Sequence, residues 1–425
     1  MQLKDINSFN ESYRLQHLKA LDYLKVSRNI TDDQLLDIVQ QLKTFQVAIP
    51  SWALGTGGTR FGRFSGAGEP GDLQQKIQDV GILHQLNRSS GAISLHIPWD
   101  TLSEDEIQTI REEAAQYEIL FDAVNSNTFQ DQEGQSLSYK FGSLCHVDKA
   151  VRNQAIAHMK EVIDQGQLVG SKSLTVWLSD GASFPGQLDF KEALQRVEES
   201  LREVYDYLPE DWQMFIEYKP YEPNFYSTVI SDWGTSYLLA ESLGPKAKTL
   251  VDLGHHLPNT NIEQIVATLI YKNKLAGFHF NDSKYGDDDL TVGALKPYQL
   301  FLIFCELVKG MKDNPSLSLA WMIDASHNIK DPLEDILQSV EAIMLAYAQA
   351  LMVDYKALKE TQLANDVTYA QEILQDAYRT DVRPVVAEAR IQEGGAYDPL
   401  QYYRQYQLRE QLIEKRGLYV KASGL

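Results

Sequence analysis

Eight short apolar, β-branched runs recur along the chain, and stretches of helix-forming sequence separate them. They are FQVAIPSWAL (45–54), ISLHIPW (93–99), LFDAVNS (120–126), LTVWLSD (174–180), MFIEYKP (214–220), TLVDLG (249–254), LAGFHFND (275–282) and LAWMID (319–324). Continuous rather than alternating apolar runs belong to parallel strands buried on both faces. SEDEIQTIREEAAQYE, between the second and third runs, and EDILQSVEAIMLAYAQALM, after the last, have helical period or composition. Strand–helix alternation implies right-handed βαβ units and a parallel sheet. Eight repeats predict closure into a (β/α)8 barrel of the TIM type, an α/β fold with no sheet edge left to protect. The rival, an open doubly wound sheet, lacks a G-x-G-x-x-G after the first strand. GTGGTR at 55–60 is glycine-rich without that spacing.

Two segments fall outside the repeat. Residues 1–44 read as an N-terminal helical segment, 45–330 as the barrel, and 331–425 as a charged, tyrosine-rich helical extension. Helices beyond a finished barrel either meet a neighbouring subunit or wrap the exterior. The Tyr and Arg density of YDPLQYYRQYQLREQLIEKRGLYVKASGL favours subunit contact.

With 425 residues, 44% hydrophobic and 23% charged, the composition is that of a soluble globular protein. A net charge of −20 argues against a nucleic-acid backbone or an anionic membrane as the main partner. MQLKDINSFNESYRLQH has no apolar core of the kind a signal peptide carries, and no apolar stretch reaches the roughly 20 residues of a membrane span. A cytoplasmic protein is expected, with Cys145 and Cys305 as buried, reduced thiols.

Chemistry-bearing residues arrive at the downstream ends of four consecutive runs: Glu217, Asp252, His279 and Asp324. Barrel enzymes collect their active residues at the C-terminal ends of the strands, so closure brings these four to one ring. Three carboxylates and one imidazole suit Mn²⁺, Mg²⁺ or Co²⁺ better than a structural zinc site. His255, Asp287 and Asp289 form a second set in the following loops. So many neighbouring anions imply two ions. Lys219, two residues beyond Glu217, shares its strand face. Its ammonium either polarises a substrate carbonyl or forms a salt bridge with Glu217. Trp52, Phe61, Trp99, Phe129 and Trp177 lie at or just past strand ends, where they either wall off a sugar face or pack in the core. His96 is placed to touch a substrate hydroxyl, with a core histidine as the alternative. Asn125, Ser126 and Asn127 either read hydroxyls or form a turn.

The motifs IPSWALGTGGTRFGRF, SLHIPWD, FDAVNSNTF, SKSLTVWLSDG, YEPNFYSTVISDWGT, LVDLGHHLPNTNIE, GFHFNDSKYGDDDL, MIDASHN and YRTDV together resemble the L-rhamnose isomerases, from about Pro50 to about Pro399. The likeness is strongest to bacterial enzymes of broad aldose specificity. The resemblance implies a homotetramer of (β/α)8 barrels with two Mn²⁺ per subunit, Co²⁺ or another divalent ion being able to substitute. It assigns Glu217, Asp252, His279 and Asp324 to the first ion and His255, Asp287 and Asp289 to the second. It places Lys219 at the reacting end of the sugar and His96, Phe129 and Trp177 in the substrate pocket. Phe61 matches an aromatic lent to a neighbour's site. The expected reaction is L-rhamnose to L-rhamnulose, with other aldoses accepted and with Lys219, Asp324 and Glu217 in catalysis. Rival readings are a ketose 3-epimerase, a metal-dependent phosphodiesterase and a non-catalytic sugar-binding protein.

Overall fold

All eight apolar runs become strands of one closed parallel barrel in the computed structural model, which describes residues 3, 5–55, 66–222, 226–327 and 329–418. The strands are β1 (Ala48–Pro50), β2 (Ala92–Ile97), β3 (Leu120–Ser126), β4 (Ser173–Val176), β5 (Gln213–Glu217), β6 (Ala247–Asp252), β7 (Leu275–Phe280) and β8 (Ala320–Ile323). Sequential strands are neighbours throughout, and β1 meets β8 to close the ring. The seam is thin: β1 is three residues long, and Ala48 with Met322 is its only pairing to β8. β1 is cut short because the chain turns after Pro50 into the 3₁₀ helix Ser51–Leu54.

Helices cover the barrel from outside. Most begin where a short polar side chain can take up the free N–H groups of the first turn, whereas Pro297–Asp313 starts after Lys296 with a proline instead of a side-chain cap. Ser103 and Glu106 form a capping box before Glu104–Gln116, and Asp331 caps Pro332–Leu351 through Leu333 and Glu334. Pro332–Leu351 packs on Pro297–Asp313 and on Leu73–Asn87, so it is the eighth helix of the ring, although the sequence boundary at 330 puts it in the extension. A closed ring of eight strands has a face for an eighth helix, and apolar Leu333, Ile336, Leu337, Val340 and Ile343 fill it.

The N-terminal helices and those after Leu351 wrap the same chain. Asp32–Thr44 packs against Pro332–Leu351 and Arg383–Gln392. Phe45 lies at the seam, 4.8 Å from Trp321 and 4.7 Å from Tyr347 between ring centroids. Tyr13 stacks on Tyr397 at 4.9 Å, and Phe9 meets Tyr402 edge-on at 5.2 Å. Arg416 grips Asp79 through both nitrogens at 2.7 and 2.8 Å, and Arg409 pairs with Asp331. Much of the tyrosine and arginine density of the extension is thus engaged within the chain. Among the described residues, no single helix is long and apolar enough to cross a membrane. Both cysteines are buried and unpaired.

Candidate active site at the barrel mouth

Glu217 ends β5, Asp252 ends β6, His279 is the penultimate residue of β7, and Asp324 follows β8. One ligand atom from each lies within 4.8 Å of all the others. His279 Nδ1 is 3.2 Å from Glu217 Oε1, 3.8 Å from Asp324 Oδ2 and 3.9 Å from Asp252 Oδ2. Supporting donors hold the carboxylates in place. Asn281 Nδ2 donates to both oxygens of Asp252 at 2.9 and 3.0 Å, Gly254 N donates to Asp252 Oδ1 at 2.7 Å, and Trp52 Nε1 donates to Asp324 Oδ1 at 3.0 Å.

The charge balance is uneven. Burial pushes the Asp252 carboxyl well above its usual range, and Glu217 and Asp324 push it further. Burial alone would lower the His279 imidazole, but Glu217, Asp324 and Asp252 raise it to about 10. Burial would likewise raise Glu217, yet His279 and His255 hold it below the usual carboxylate range. Two buried carboxylates and the half-buried Asp324 thus share the positive charge of one or two imidazoles, with one carboxyl driven toward its neutral form. A divalent cation meets that deficit, and hard oxygen donors with one imidazole fit Mn²⁺ or Mg²⁺. The donor set fits a metal site.

The second predicted set lies beside the first and is not drawn to one point in the same way. His255 Nε2 is 2.9 Å from Asp287 Oδ1, and His255 Nδ1 is 3.2 Å from Glu217 Oε1. Asp287 Oδ2 pairs with Lys219 Nζ, which also pairs with Glu222. Glu222 belongs to a small antiparallel sheet of Tyr221–Glu222, Tyr226–Thr228 and Gly181–Ala182. The salt bridge weighed for Lys219 is with Glu217, but its ammonium pairs with Asp287 and Glu222 instead and sits 5.4 Å over the Trp177 ring. Asp288 folds its loop by accepting N–H bonds from Lys284 and Tyr285 and the Ser283 hydroxyl. Asp287 (φ 56°) and Asp289 (φ 50°), on either side of it, adopt the left-handed conformation and both line the cavity. Aspartate tolerates that region better than most residues, and strained positions cluster at functional sites.

The opposite half of the mouth, from β1 to β4, carries rings and neutral polar groups. Trp52, His96, Trp99, Asn125, Ser126, Phe129, Thr175 and Trp177 line the same cavity as the acids. His96 stacks on Trp99 at 5.3 Å, Trp99 meets Phe129 edge-on at 6.0 Å, and Phe129 meets Trp177 edge-on at 4.7 Å. Burial lowers the His96 imidazole to about 4, so it is neutral at physiological pH. Asp100 stands behind this wall. It accepts from the His96 N–H at 2.8 Å, from Lys76 Nζ at 2.7 Å and from the Ser51 hydroxyl. The structure thus brings the predicted site residues to one cavity or its edge, except Asn127, which is not among its lining residues and whose N–H donates to His158, and Phe61, which with most of the GTGGTR run lies outside the described residues. Sequence reading missed Asn281, Glu222, Asp100 and Thr175. Only Glu222, three residues from Lys219, carried a spacing signal.

A family model for xylose isomerase-like TIM barrels matches residues 90–298. A "probable sugar isomerase" of Mesorhizobium japonicum is 50% identical over 385 residues, covering 90% of this chain and 89% of that protein. The chain is a xylose isomerase-like TIM barrel protein. A second relative, a "probable sugar isomerase" of Rhizobium meliloti, is 51% identical over 385 residues with the same coverage. Among solved structures, L-ribulose 3-epimerase aligns with TM-score 0.53 at 12% identity, covering 72% of this chain and 96% of that one. The 3-keto-D-glucoside 4-epimerase of E. coli aligns with TM-score 0.50 at 10% identity, covering 71% and 99%. At such identities the two structures speak to the fold alone.

Proposed function

We propose that this protein is a metal-dependent aldose–ketose isomerase that interconverts L-rhamnose and L-rhamnulose and accepts other aldoses. The observation that carries the reading is the four-residue ligand cluster facing an open cavity whose other half is aromatic and neutral. Its relatives' names and the L-rhamnose isomerase motifs support the same reaction class. Glu217, Asp252, His279 and Asp324 would hold one Mn²⁺, and His255 with Asp287 and Asp289 a second; Co²⁺ would substitute. Bound ions supply Lewis-acid polarisation of substrate oxygens. The chain's own residues do the rest. Lys219, held between Asp287 and Glu222, steadies negative charge as it develops on the carbonyl oxygen. Asp324, oriented by the Trp52 indole, takes and returns a hydroxyl proton. His96, neutral, hydrogen-bonds a substrate hydroxyl, while Trp177 and Phe129 cover the apolar side of the sugar and exclude water. A homotetramer is part of the proposal and is tested by mass in solution.

A second reading, a ketose 3-epimerase, is favoured by one feature: a single ligand set is drawn together, and that chemistry needs one ion and two carboxylates acting as acid and base. Chromatography after incubating the Mn²⁺-loaded protein with L-rhamnose, and separately with a ketohexose, decides between them. Appearance of L-rhamnulose supports the isomerase. A new ketose from the ketohexose, with L-rhamnose untouched, overturns it in favour of the epimerase.

A further inference from the structure

The neutral half of the mouth contains a side chain to which neither the motifs nor the proposed chemistry gives a role. Thr175 is 2% exposed, lines the cavity, and its hydroxyl meets no hydrogen-bond partner. Its strand neighbours Leu174 and Val176 belong to the main apolar core. Alternation along β4 therefore turns Thr175 the other way, to the same side as Trp177. Register places Thr175 opposite Asn125 and Asn125 opposite His96, so the three sit at one level on adjacent strands. The amide of Asn125 is committed, donating to Ser94 Oγ at 2.9 Å and to the Leu95 carbonyl at 3.0 Å. His96 Nδ1, like the Thr175 hydroxyl, is buried without a partner. Two strand spacings, about 10 Å, separate the Thr175 and His96 backbones.

A buried hydroxyl left without a partner is destabilising, and it both donates and accepts. We infer that Thr175 determines specificity, its hydroxyl reading a substrate hydroxyl where the neutral half of the mouth meets the acid half, since Thr175 lies opposite Phe215 of β5, two residues before Glu217. The inference rests on the sugar reading above and adds to it a direction: the carbonyl end lies toward β5–β8, and the polyhydroxy tail crosses toward β4 and β2. A tail that lacks the matching hydroxyl leaves Thr175 unpaired and is bound less well. A hydrogen-bonding site discriminates against an analogue missing its partner more sharply than an apolar pocket does against a similar change.

The test uses the full-length, metal-loaded protein and Thr175→Val, which keeps the shape and removes the hydroxyl. kcat/KM is measured for an aldose and for its analogues deoxygenated singly at each carbon beyond C3, and Kd is measured for the corresponding unreactive alditol. Thr175→Val should lower kcat/KM on the full aldose roughly tenfold, chiefly through KM, and should weaken alditol binding to the same degree. One deoxy analogue should be unaffected, and Mn²⁺ affinity should not change. Thr175→Ser should restore the parent pattern. If the Val variant does not fold, Thr175→Ala gives the same comparison. Parent-like kinetics, or an equal loss across the whole deoxy series, overturns the inference while leaving the isomerase reading intact. A parent protein that converts no sugar but binds the alditol, with the binding lost in the variant, keeps the inference and overturns the isomerase reading. A parent protein that neither converts a sugar nor binds the alditol overturns both.

Discussion

The two halves of the barrel mouth are made from the same kind of strand and do opposite things with a buried polar group. From β5 to β8 the strand ends concentrate carboxylates beyond what the nearby imidazoles neutralise. From β1 to β4 the equivalent positions carry indoles, a phenyl ring, a hydroxyl and a neutral imidazole. Histidine makes the contrast plain: anionic neighbours raise His279 to about 10, while burial beside rings lowers His96 to about 4. The barrel supplies a rim of equivalent positions, and the residue placed at each decides whether that arc attracts a cation or a neutral ligand. A substrate entering such a mouth has one orientation in which its most polarisable oxygen faces the acids.

The largest effect expected on this division is removal of the cation from the acid half. Exhaustive chelation, or Asp252→Ala, should abolish turnover, and Mn²⁺ or Co²⁺ should restore the chelated protein better than Ca²⁺, which prefers more ligands at longer distances. Full activity with metal absent by elemental analysis breaks the comparison at its root. Next is Lys219→Met, expected to lower kcat by roughly 10²-fold with a smaller change in KM, as for the loss of one oxyanion donor. The salt-bridge alternative predicts instead that kcat recovers at saturating Mn²⁺, so a metal titration of the mutant separates the two. Trp52→Phe crosses between the halves, because it removes the indole donor to Asp324 and leaves the ring. A loss of about 1–3 kcal/mol in metal affinity or in transition-state stabilisation is expected. An unchanged titration and unchanged kinetics would show that the indole is only packing.

The smallest effects are those of pH on the metal-free protein, and their signs differ between the halves. His279 is raised above its unfolded value, so its contribution to stability is complete below about 6.5 and is lost as pH rises through about 10. His96 is lowered, so its contribution is present above about 6.5 and is lost as pH falls through about 4. Melting temperatures across this range should fall on both flanks, and His96→Phe should soften the acid flank alone. A metal held by His279 requires its neutral imidazole, so binding of that ion near pH 8 should release a proton. Calorimetry in two buffers of different ionisation enthalpy would detect it, and a buffer-independent heat would contradict the assignment.

The strands were legible because a buried parallel strand needs a continuous apolar run, and LFDAVNS coincides residue for residue with β3. The cluster of Glu217, Asp252, His279 and Asp324 was legible because an acid or imidazole that ends such a run has few structural uses. Their supports were not. Asn281 follows Phe280 and looks like an ordinary turn residue until it is seen bonded to both oxygens of Asp252. Asp100 is one acid in a polar loop until Lys76, His96 and Ser51 converge on it. Such roles depend mostly on partners tens of residues away, which no local pattern encodes. The same is true of the extension, whose arginines answer acids at Asp79, Asp331, Glu334 and Glu341 of the same chain.

The thin seam between β1 and β8 has a consequence for how the molecule comes apart. One backbone pairing is a weak fastening for a ring that elsewhere has several per strand pair. What holds it is a belt of side chains: Phe45 wedged between Trp321 and Tyr347, and the helix before β1 lying against the helices after β8. The two ends of the chain therefore serve as the buckle of the barrel. Loosening either end should let the staves spread at β1 first, which would carry Trp52 away from Asp324 before Glu217, Asp252 and His279 move.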